Sequence, residues 1–133
     1  MAKHVPQLFQ DDVLGAMPWN EDQGGWIARP SGASFLIVVA GAQRPHPSLL
    51  APARALSADP TNVVAQVASL LHAFSERVPE AASEVLALTI EAVHLMWPDR
   101  PADGMIYFNG PDPYRVWRCD YVAGVAKDLG FDS

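Results

Sequence analysis

Apolar and polar positions change their spacing along this chain, and each spacing predicts a different kind of element. Residues 19–39 hold short apolar segments separated by turns rich in glycine, asparagine and proline, a pattern typical of a β-meander. The last of these segments, residues 34–39, is apolar on both faces and rich in β-branched side chains. It therefore predicts a central strand of the sheet.

The middle of the chain follows a helical repeat instead. Asp59 suits an N-cap, Pro60 suits the first helical position, and Pro79 ends the helix. One face of this helix carries Val63, Val67, Leu70, Leu71, Phe74 and Val78. Residues 48–58 predict a short helix before it, with Pro52 in the first turn.

After the long helix the pattern allows two interpretations. A second helix starts at Glu80, and residues 89–97 either continue it through an apolar stripe or switch to a strand. We favour the strand, because a loop and further strand segments follow at once. Those segments are residues 105–108 and 114–121, and a turn near Gly124 then leads to a C-terminal tail.

Strands, then helices, then strands predict an α+β fold, with residues 1–133 as a single domain. We expect a mostly antiparallel sheet, built from the N-terminal meander and a C-terminal hairpin, with two or three helices packed on one face. Residues 1–10 are expected to form a loose N-terminal arm, with regular structure beginning near Asp12.

Composition narrows the classes of function. The formal net charge is -6 and only nine residues are Lys or Arg, so nucleic acid is not an expected partner. The longest apolar run, residues 33–42, is about half of the ~20 residues that cross a membrane, and residues 1–10 do not resemble a signal peptide. The single cysteine, Cys119, excludes an intramolecular disulfide and suits a reducing compartment. We therefore predict a cytoplasmic protein with no membrane partner.

No spacing of polar residues predicts a catalytic or metal site. The four histidines are scattered, with no pair at the short or i, i+4 spacing of a metal site. Cys119 lies mid-strand between Arg118 and Asp120, a setting typical of a small buried side chain. Close carboxylate pairs such as Asp11 and Asp12 fall in loops or near the terminus, where acidic residues are normally solvated. The glycine spacing matches no nucleotide-binding loop, so no cofactor is predicted.

The aromatic residues are the strongest candidates for a function. Four tryptophans in 133 residues exceed what a core of this size needs, and Trp and Tyr dominate binding energies at protein interfaces. Arg115 and Arg118 alternate with aromatic residues in the last predicted strand. The candidate binding residues are Trp19, Trp26, Tyr114, Arg115, Trp117 and Arg118. The alternative is that the aromatic rings fill the core between sheet and helices.

Two parts of the chain resemble small bacterial domain families of unknown function. Residues 12–19, D-V-L-G-A-M-P-W, are followed closely by Trp26, and these families share an aspartate, L-G-x-x-x-W and a second tryptophan at the start of a meander. Residues 105–108, 117–121 and 129–133 are similar to their closing strands. Some of these families lie beside toxin systems, so the resemblance implies an immunity-like binding role. It transfers no catalytic residue.

These observations predict a non-catalytic protein that binds another protein or a second copy of itself, as an immunity-like or accessory factor. The alternative is a small enzyme or small-ligand-binding domain with a pocket between sheet and helices. His94, Cys119 and Asp120 are the predicted polar lining of that pocket.

Overall fold

The computed structural model describes residues 7–132. Eight strands in this part of the chain form one sheet, and their spatial order equals their order in the sequence. The strands are β1 (Leu8–Asp11), β2 (Gly15–Asn20), β3 (Gly25–Ala28), β4 (Leu36–Val39), β5 (Thr89–Leu95), β6 (Gly104–Asn109), β7 (Val116–Val122) and β8 (Val125–Asp132). Neighbouring strands pair antiparallel except β4 and β5, which are parallel.

The parallel pair follows from the helical segment between its strands. This segment contains α1 (Pro47–Ala58), α2 (Pro60–Arg77), a 3-10 turn (Pro79–Ala81) and the one-turn helix α3 (Ala82–Val85). Two parallel neighbours need a crossover of a dozen or more residues, which the helices supply. Every other pair is joined by a turn or loop, so the rest of the sheet is a meander.

The two faces of the sheet differ in what covers them. Helical side chains share one core with alternate strand residues, including Leu49, Val63, Val67, Val85, Trp26, Ile37, Val93, Ile106 and Trp117. We call this side the helix-covered face. The opposite side, the open face, carries Ile27, Val38, His94, Tyr107 and Arg118. The predicted α+β fold, a mostly antiparallel sheet with helices on one face, is confirmed.

The N-terminal segment differs from its prediction. Residues 8–10 belong to β1, which pairs with β2 from Leu8 opposite Pro18 to Asp11 opposite Gly15. The strand forms because Phe9 packs against the core and Asp11 is fixed in place, and neither contact needs a long apolar repeat. Residues 1–6 of the predicted loose arm lie outside the described residues.

The expectation that the adjacent carboxylates Asp11 and Asp12 are solvated is wrong for Asp11, because only 4% of this residue is exposed. Its Oδ2 accepts hydrogen bonds from the backbone N–H groups of Val13 (3.0 Å) and Leu14 (2.9 Å), and its carboxylate pairs with Arg54 of α1. The hydrogen bond from Arg54, followed by those from the backbone, holds the pKa of Asp11 well below its usual range. The β1–β2 turn is thereby tied to the helical layer.

α1 begins one residue earlier than predicted, and this changes the position of Pro52. Pro47 occupies the first helical position, which places Pro52 in the second turn rather than the first. A proline there removes the hydrogen bond that would reach the carbonyl group of Ser48. The helix persists because its buried face, Leu49, Leu50, Ala53 and Leu56, packs into the core.

The later elements follow the predicted order with some different ends. α2 begins at the predicted residue, and residues 89–95 form a strand rather than a helix. The helix predicted from Glu80 is only the 3-10 turn and α3. The predicted tail is β8, which pairs with β7 along most of its length. A bulge opposite Cys119, where Asp128 has a φ of 59°, interrupts the alternation that would have revealed this strand.

Candidate binding surfaces

Two of the predicted binding residues, Trp19 and Trp26, pack together at the β1–β3 end of the sheet. Trp26 is buried on the helix-covered face, and its Nε1–H donates to the carbonyl oxygen of Gly41 at 3.0 Å. Trp19 lies directly opposite on β2 and is 36% exposed, with the two ring centroids 5.6 Å apart in an edge-to-face contact. A Cβ at Gly41 would overlap the carbonyl oxygen of Arg44, so only glycine fits this close approach. The indole N–H of Trp26 thus already has its hydrogen-bond acceptor, the carbonyl oxygen of Gly41, within the fold.

Trp117 repeats this arrangement at the β7–β8 end. It is buried on the helix-covered face, with Phe131 directly opposite on β8 at 4.8 Å between ring centroids. Phe74 of α2 contacts it edge-on at 5.8 Å. Its Nε1–H donates to Oε2 of Glu84 at 2.6 Å. The acceptor at this end is thus a charged side chain of α3 rather than a backbone carbonyl.

Glu84 also binds Arg115, one of the predicted binding residues. The Nε of Arg115 donates to both carboxylate oxygens, at 2.9 and 3.2 Å, and its Nη2 donates to Oε1 at 2.7 Å. The same Nη2 lies 2.9 Å from Oδ2 of Asp112. Hydrogen bonds from Arg115 and then Trp117 lower the pKa of Glu84, which keeps it ionised at neutral pH. Arg115 therefore links α3 to the loop between β6 and β7.

Tyr114 stands on this loop and is 83% exposed. Its backbone N–H donates to Oδ1 of Asp112 at 2.8 Å, and Pro111 and Pro113 on either side of Asp112 restrict the backbone further. A concavity of about 530 Å³ beside the ring is lined by Glu80, Ser83, Glu84, Pro111, Asp112, Pro113 and Tyr114. We call it the Tyr114 groove.

Arg118 does not belong to the Tyr114 groove. It lies on the open face, where its Nε donates to Oδ2 of Asp132 at 2.9 Å. Of the six predicted binding residues, the structure brings together Tyr114, Arg115 and Trp117. It leaves Arg118 on the other face, and Trp19 and Trp26 at the other end of the sheet.

The predicted pocket of His94, Cys119 and Asp120 is not assembled. Cys119 is fully buried on the helix-covered face, whereas His94 and Asp120 lie on the open face with Met105 between them in the strand register. Neighbouring residues of a strand point to opposite faces, so Cys119 and Asp120 cannot line one pocket. Burial raises the pKa of the Cys119 thiol to about 12, which keeps the sulfur protonated at neutral pH.

A cavity between helices and sheet is present, but none of these three residues lines it. It has a volume of about 410 Å³ and lies where α1 and α2 meet, beside the β7–β8 turn. Asp59, Asn62 and Tyr121 supply polar groups, and much of the remaining lining is apolar, including Leu56 and Val63. We call it the helix–sheet cavity.

His94 instead lines a concavity of about 430 Å³ on the open face, together with Asp22, Gln23, Glu91 and Tyr107. Gln23 reaches over the face from the β2–β3 turn, with its Oε1 3.2 Å from Nε2 of His94. The imidazole and the Tyr107 ring meet edge-to-face at 4.9 Å. Desolvation lowers the pKa of His94, which favours the uncharged imidazole at neutral pH.

Sequence reasoning missed Glu84, Asp112 and Phe131 as members of a surface site. Glu84 and Arg115 are 31 positions apart, and no local pattern connects them. The one local signal is P-D-P at residues 111–113, where two prolines enclose a turn-forming residue directly before Tyr114.

Comparisons with protein-family models, with curated proteins and with solved structures found no match to this chain. Residues 7–132 contain no group of three or more His, Cys, Asp or Glu side chains placed to hold a metal ion. Within the same part of the chain, no helix combines the length and apolar character needed to cross a membrane.

Proposed function

We propose that this protein acts by binding another protein through the Tyr114 groove, and that the partner presents basic side chains to it. The observation that carries the proposal is the 83% exposure of Tyr114 on a loop that Asp112, Arg115 and Glu84 hold in place. Tyr, Trp and Arg supply most of the binding energy at protein interfaces, so an exposed tyrosine on an ordered loop is suited to this task.

The ordered loop lowers the entropic cost of binding. A tyrosine has only two side-chain torsions to fix, and the backbone at Tyr114 is already held by Asp112. Phe131, 48% exposed, extends the apolar surface beyond Arg115, whose guanidinium carbon lies 5.6 Å from the Phe131 ring centroid. The surface thus combines aromatic contact area with a fixed polar centre.

The charge of the groove favours a basic partner. Three carboxylates, Glu80, Glu84 and Asp112, line it, and the guanidinium of Arg115 pairs with the last two. The formal sum is therefore negative, as it is for the whole chain at -6. Opposite charge on a partner accelerates association and disfavours acidic competitors.

We further propose that the protein is a bacterial, cytoplasmic factor of the immunity-like or accessory kind and is not an enzyme. Support comes from the resemblance at the Trp19 and Trp26 opening to small bacterial families, some of which lie beside toxin systems. A basic toxin domain would match the charge of the Tyr114 groove. Binding to a second copy of this chain is the alternative form of the same proposal.

Photo-crosslinking in the native host tests the proposal. The photoreactive residue p-benzoylphenylalanine replaces Tyr114 in one variant and Val64, an exposed apolar residue of α2, in the control. We expect a crosslinked species only from position 114, suppressed by excess unlabelled wild-type protein but not by Tyr114→Ala. The mass of that species separates a foreign partner from a homodimer. Absence of a specific product at position 114, or identical products at both positions, would contradict the proposal.

A second candidate function is the binding of a small molecule in the helix–sheet cavity. Its volume of about 410 Å³ and its mixture of apolar walls with a few polar groups are typical of ligand pockets. Ala55 lines the cavity, so Ala55→Phe fills it. Native mass spectrometry of protein purified from its host should show a retained ligand mass in the wild type and none in the variant. An equal mass in both counts against this function.

A further inference from the structure

We infer a second binding site, on the open face: the concavity around His94 binds an organic cation that carries a primary ammonium or guanidinium group. Asp22, Gln23, Glu91, His94 and Tyr107 line it. The site lies on the face opposite the helices and shares no lining residue with the Tyr114 groove. It is therefore independent of the proposed function.

The first support is a β-bulge that places Glu91 beside His94. Residues three apart in a regular strand point to opposite faces, so Glu91 and His94 should lie on different sides of β5. The pairing of β5 with β6 shifts between Ile90 and Ala92, and Glu91 is the extra residue. Because a bulge redirects the side chains around it, the carboxylate of Glu91 reaches the same concavity as the imidazole.

The second support is the fixed orientation of Gln23 between these two residues. The carboxylate of Glu91 can only accept hydrogen bonds, so the side-chain nitrogen of Gln23 donates to it, at 3.4 Å. The amide oxygen of Gln23 then faces His94, whose Nε2 must be the protonated nitrogen, at 3.2 Å. Desolvation lowers the pKa of His94, which favours the neutral imidazole beside the two carboxylates of the concavity.

The third support is the charge and polarity of the lining. Asp22 and Glu91 contribute two carboxylates, and none of the five lining residues is Lys or Arg. Arg118, which lies near Tyr107 on the next strand, is paired with Asp132. An aromatic ring beside two carboxylates is a combination that attracts organic cations.

Buried apolar residues lie next to these groups on the open face. Val38 is directly opposite His94, Ala92 is directly opposite Tyr107, and both are at most 2% exposed. Charges beside buried apolar surface are less screened than charges in bulk water. The concavity of about 430 Å³ has room for an ammonium or guanidinium group on an alkyl chain, either as a free small molecule or as a Lys or Arg side chain of another protein.

NMR titration of the full chain tests the inference with three probes. Agmatine represents a free organic cation, acetyl-Gly-Arg-Gly-amide represents a protein side chain, and butylurea is a neutral analogue. We expect saturable shifts with the two cations that are confined to the lining residues, and no saturable shift with butylurea. The cation that binds more tightly identifies the source of the natural ligand.

Two matched variants test whether the carboxylate of Glu91 attracts the cation. Glu91→Gln should weaken agmatine binding about tenfold, which corresponds to ~1.4 kcal/mol, while its spectrum confirms the native fold. Glu76→Gln, on α2 across the sheet, should leave the affinity unchanged. Tyr114→Ala should also titrate like the wild type, which separates this site from the proposed function. Equal binding of butylurea and agmatine, equal effects of the two glutamate variants, or no saturable shift with either cation would overturn the inference.

Discussion

The two ends of the sheet are built from the same parts, yet only one of them presents an ordered tyrosine to solvent. Each end has a buried tryptophan with an aromatic ring opposite it on the next strand, and a carboxylate paired with an arginine. At the β1–β3 end these parts are Trp26 with Trp19, and Asp11 with Arg54. At the β7–β8 end they are Trp117 with Phe131, and Glu84 with Arg115.

The difference lies in what the ion pair holds in place. Asp11 accepts hydrogen bonds from backbone N–H groups of its own turn. Its ion pair with Arg54 therefore stabilises the fold and holds no exposed aromatic residue in place. Glu84 accepts from Trp117, and its partner Arg115 reaches on to Asp112, which fixes the loop of Tyr114. The same residue types therefore stabilise the β1–β2 turn at one end and an exposed aromatic surface at the other.

Replacing each buried tryptophan with alanine tests whether Trp26 and Trp117 contribute equally to the stability of the core. Trp26→Ala and Trp117→Ala should each lower the free energy of unfolding by about 3–5 kcal/mol, because both rings are buried in the same core. Urea unfolding measures the loss. Val64→Ala, at an exposed position of α2, is the control and should change little. A large loss at one end and a small loss at the other would show that the ends are not equivalent.

The ion pair of the first end is tested through Asp11. Asp11→Asn should lower the free energy of unfolding by about 2–4 kcal/mol, because the variant weakens the pairing with Arg54 and the bonds to the turn. Asp12→Asn, at the exposed neighbour, is the control.

This contribution of Asp11 should depend on pH with a defined sign. The folded pKa lies below the value of an unfolded aspartate, about 3.9, so the stabilisation is present above that pH and is lost as the pH falls toward the folded pKa. Urea unfolding between pH 7 and pH 2 should show the gap between the wild type and Asp11→Asn closing on the acid side. A gap that stays constant with pH would contradict an ionised Asp11 in the fold.

The ion pair of the second end is tested through Glu84. Glu84→Gln should affect the global stability less than Asp11→Asn does, since the Glu84 side chain is 17% exposed and that of Asp11 only 2%. It should, however, accelerate hydrogen exchange selectively at Tyr114 and Arg115, because the loop loses its charged anchor. Glu80→Gln removes the same charge from the groove and should leave this exchange unchanged. Equal acceleration in both variants would mean that charge, rather than the bonds of Glu84, orders the loop.

The smallest effect on stability is expected at Tyr114. Tyr114→Ala should change the free energy of unfolding by less than about 0.5 kcal/mol, because the ring is exposed. The same variant should lose the crosslinked partner, so stability and binding separate at this residue. A substantial loss of stability would place the ring in the fold rather than in an interface.

The sequence allowed the fold to be predicted where the apolar repeat was regular. α2, the meander and the alternation of β7 follow directly from such repeats. β1 and β8 were missed for a physical reason. β1 is held by Phe9 and by the ion pair of the buried Asp11 with Arg54, and β8 contains a bulge that breaks its alternation.

The sites were less predictable, because their geometry depends on long-range contacts. Tyr114 and Arg115 were identified from their residue types, whereas Glu84 reaches them only through the packing of α3. His94 was assigned to a pocket with Cys119, which the faces of the sheet forbid. Glu91 lies near His94 because of a β-bulge, and no sequence pattern indicates that bulge.

Backbone ¹⁵N relaxation of the isolated protein measures whether Tyr114 lies on an ordered loop before any partner binds. We expect order parameters for the amides of Tyr114 and Arg115 close to the ~0.85 of rigid strands. Values below about 0.6 at these two amides, with rigid strands on either side, would mean that the loop is mobile and that the Tyr114 groove is not preformed.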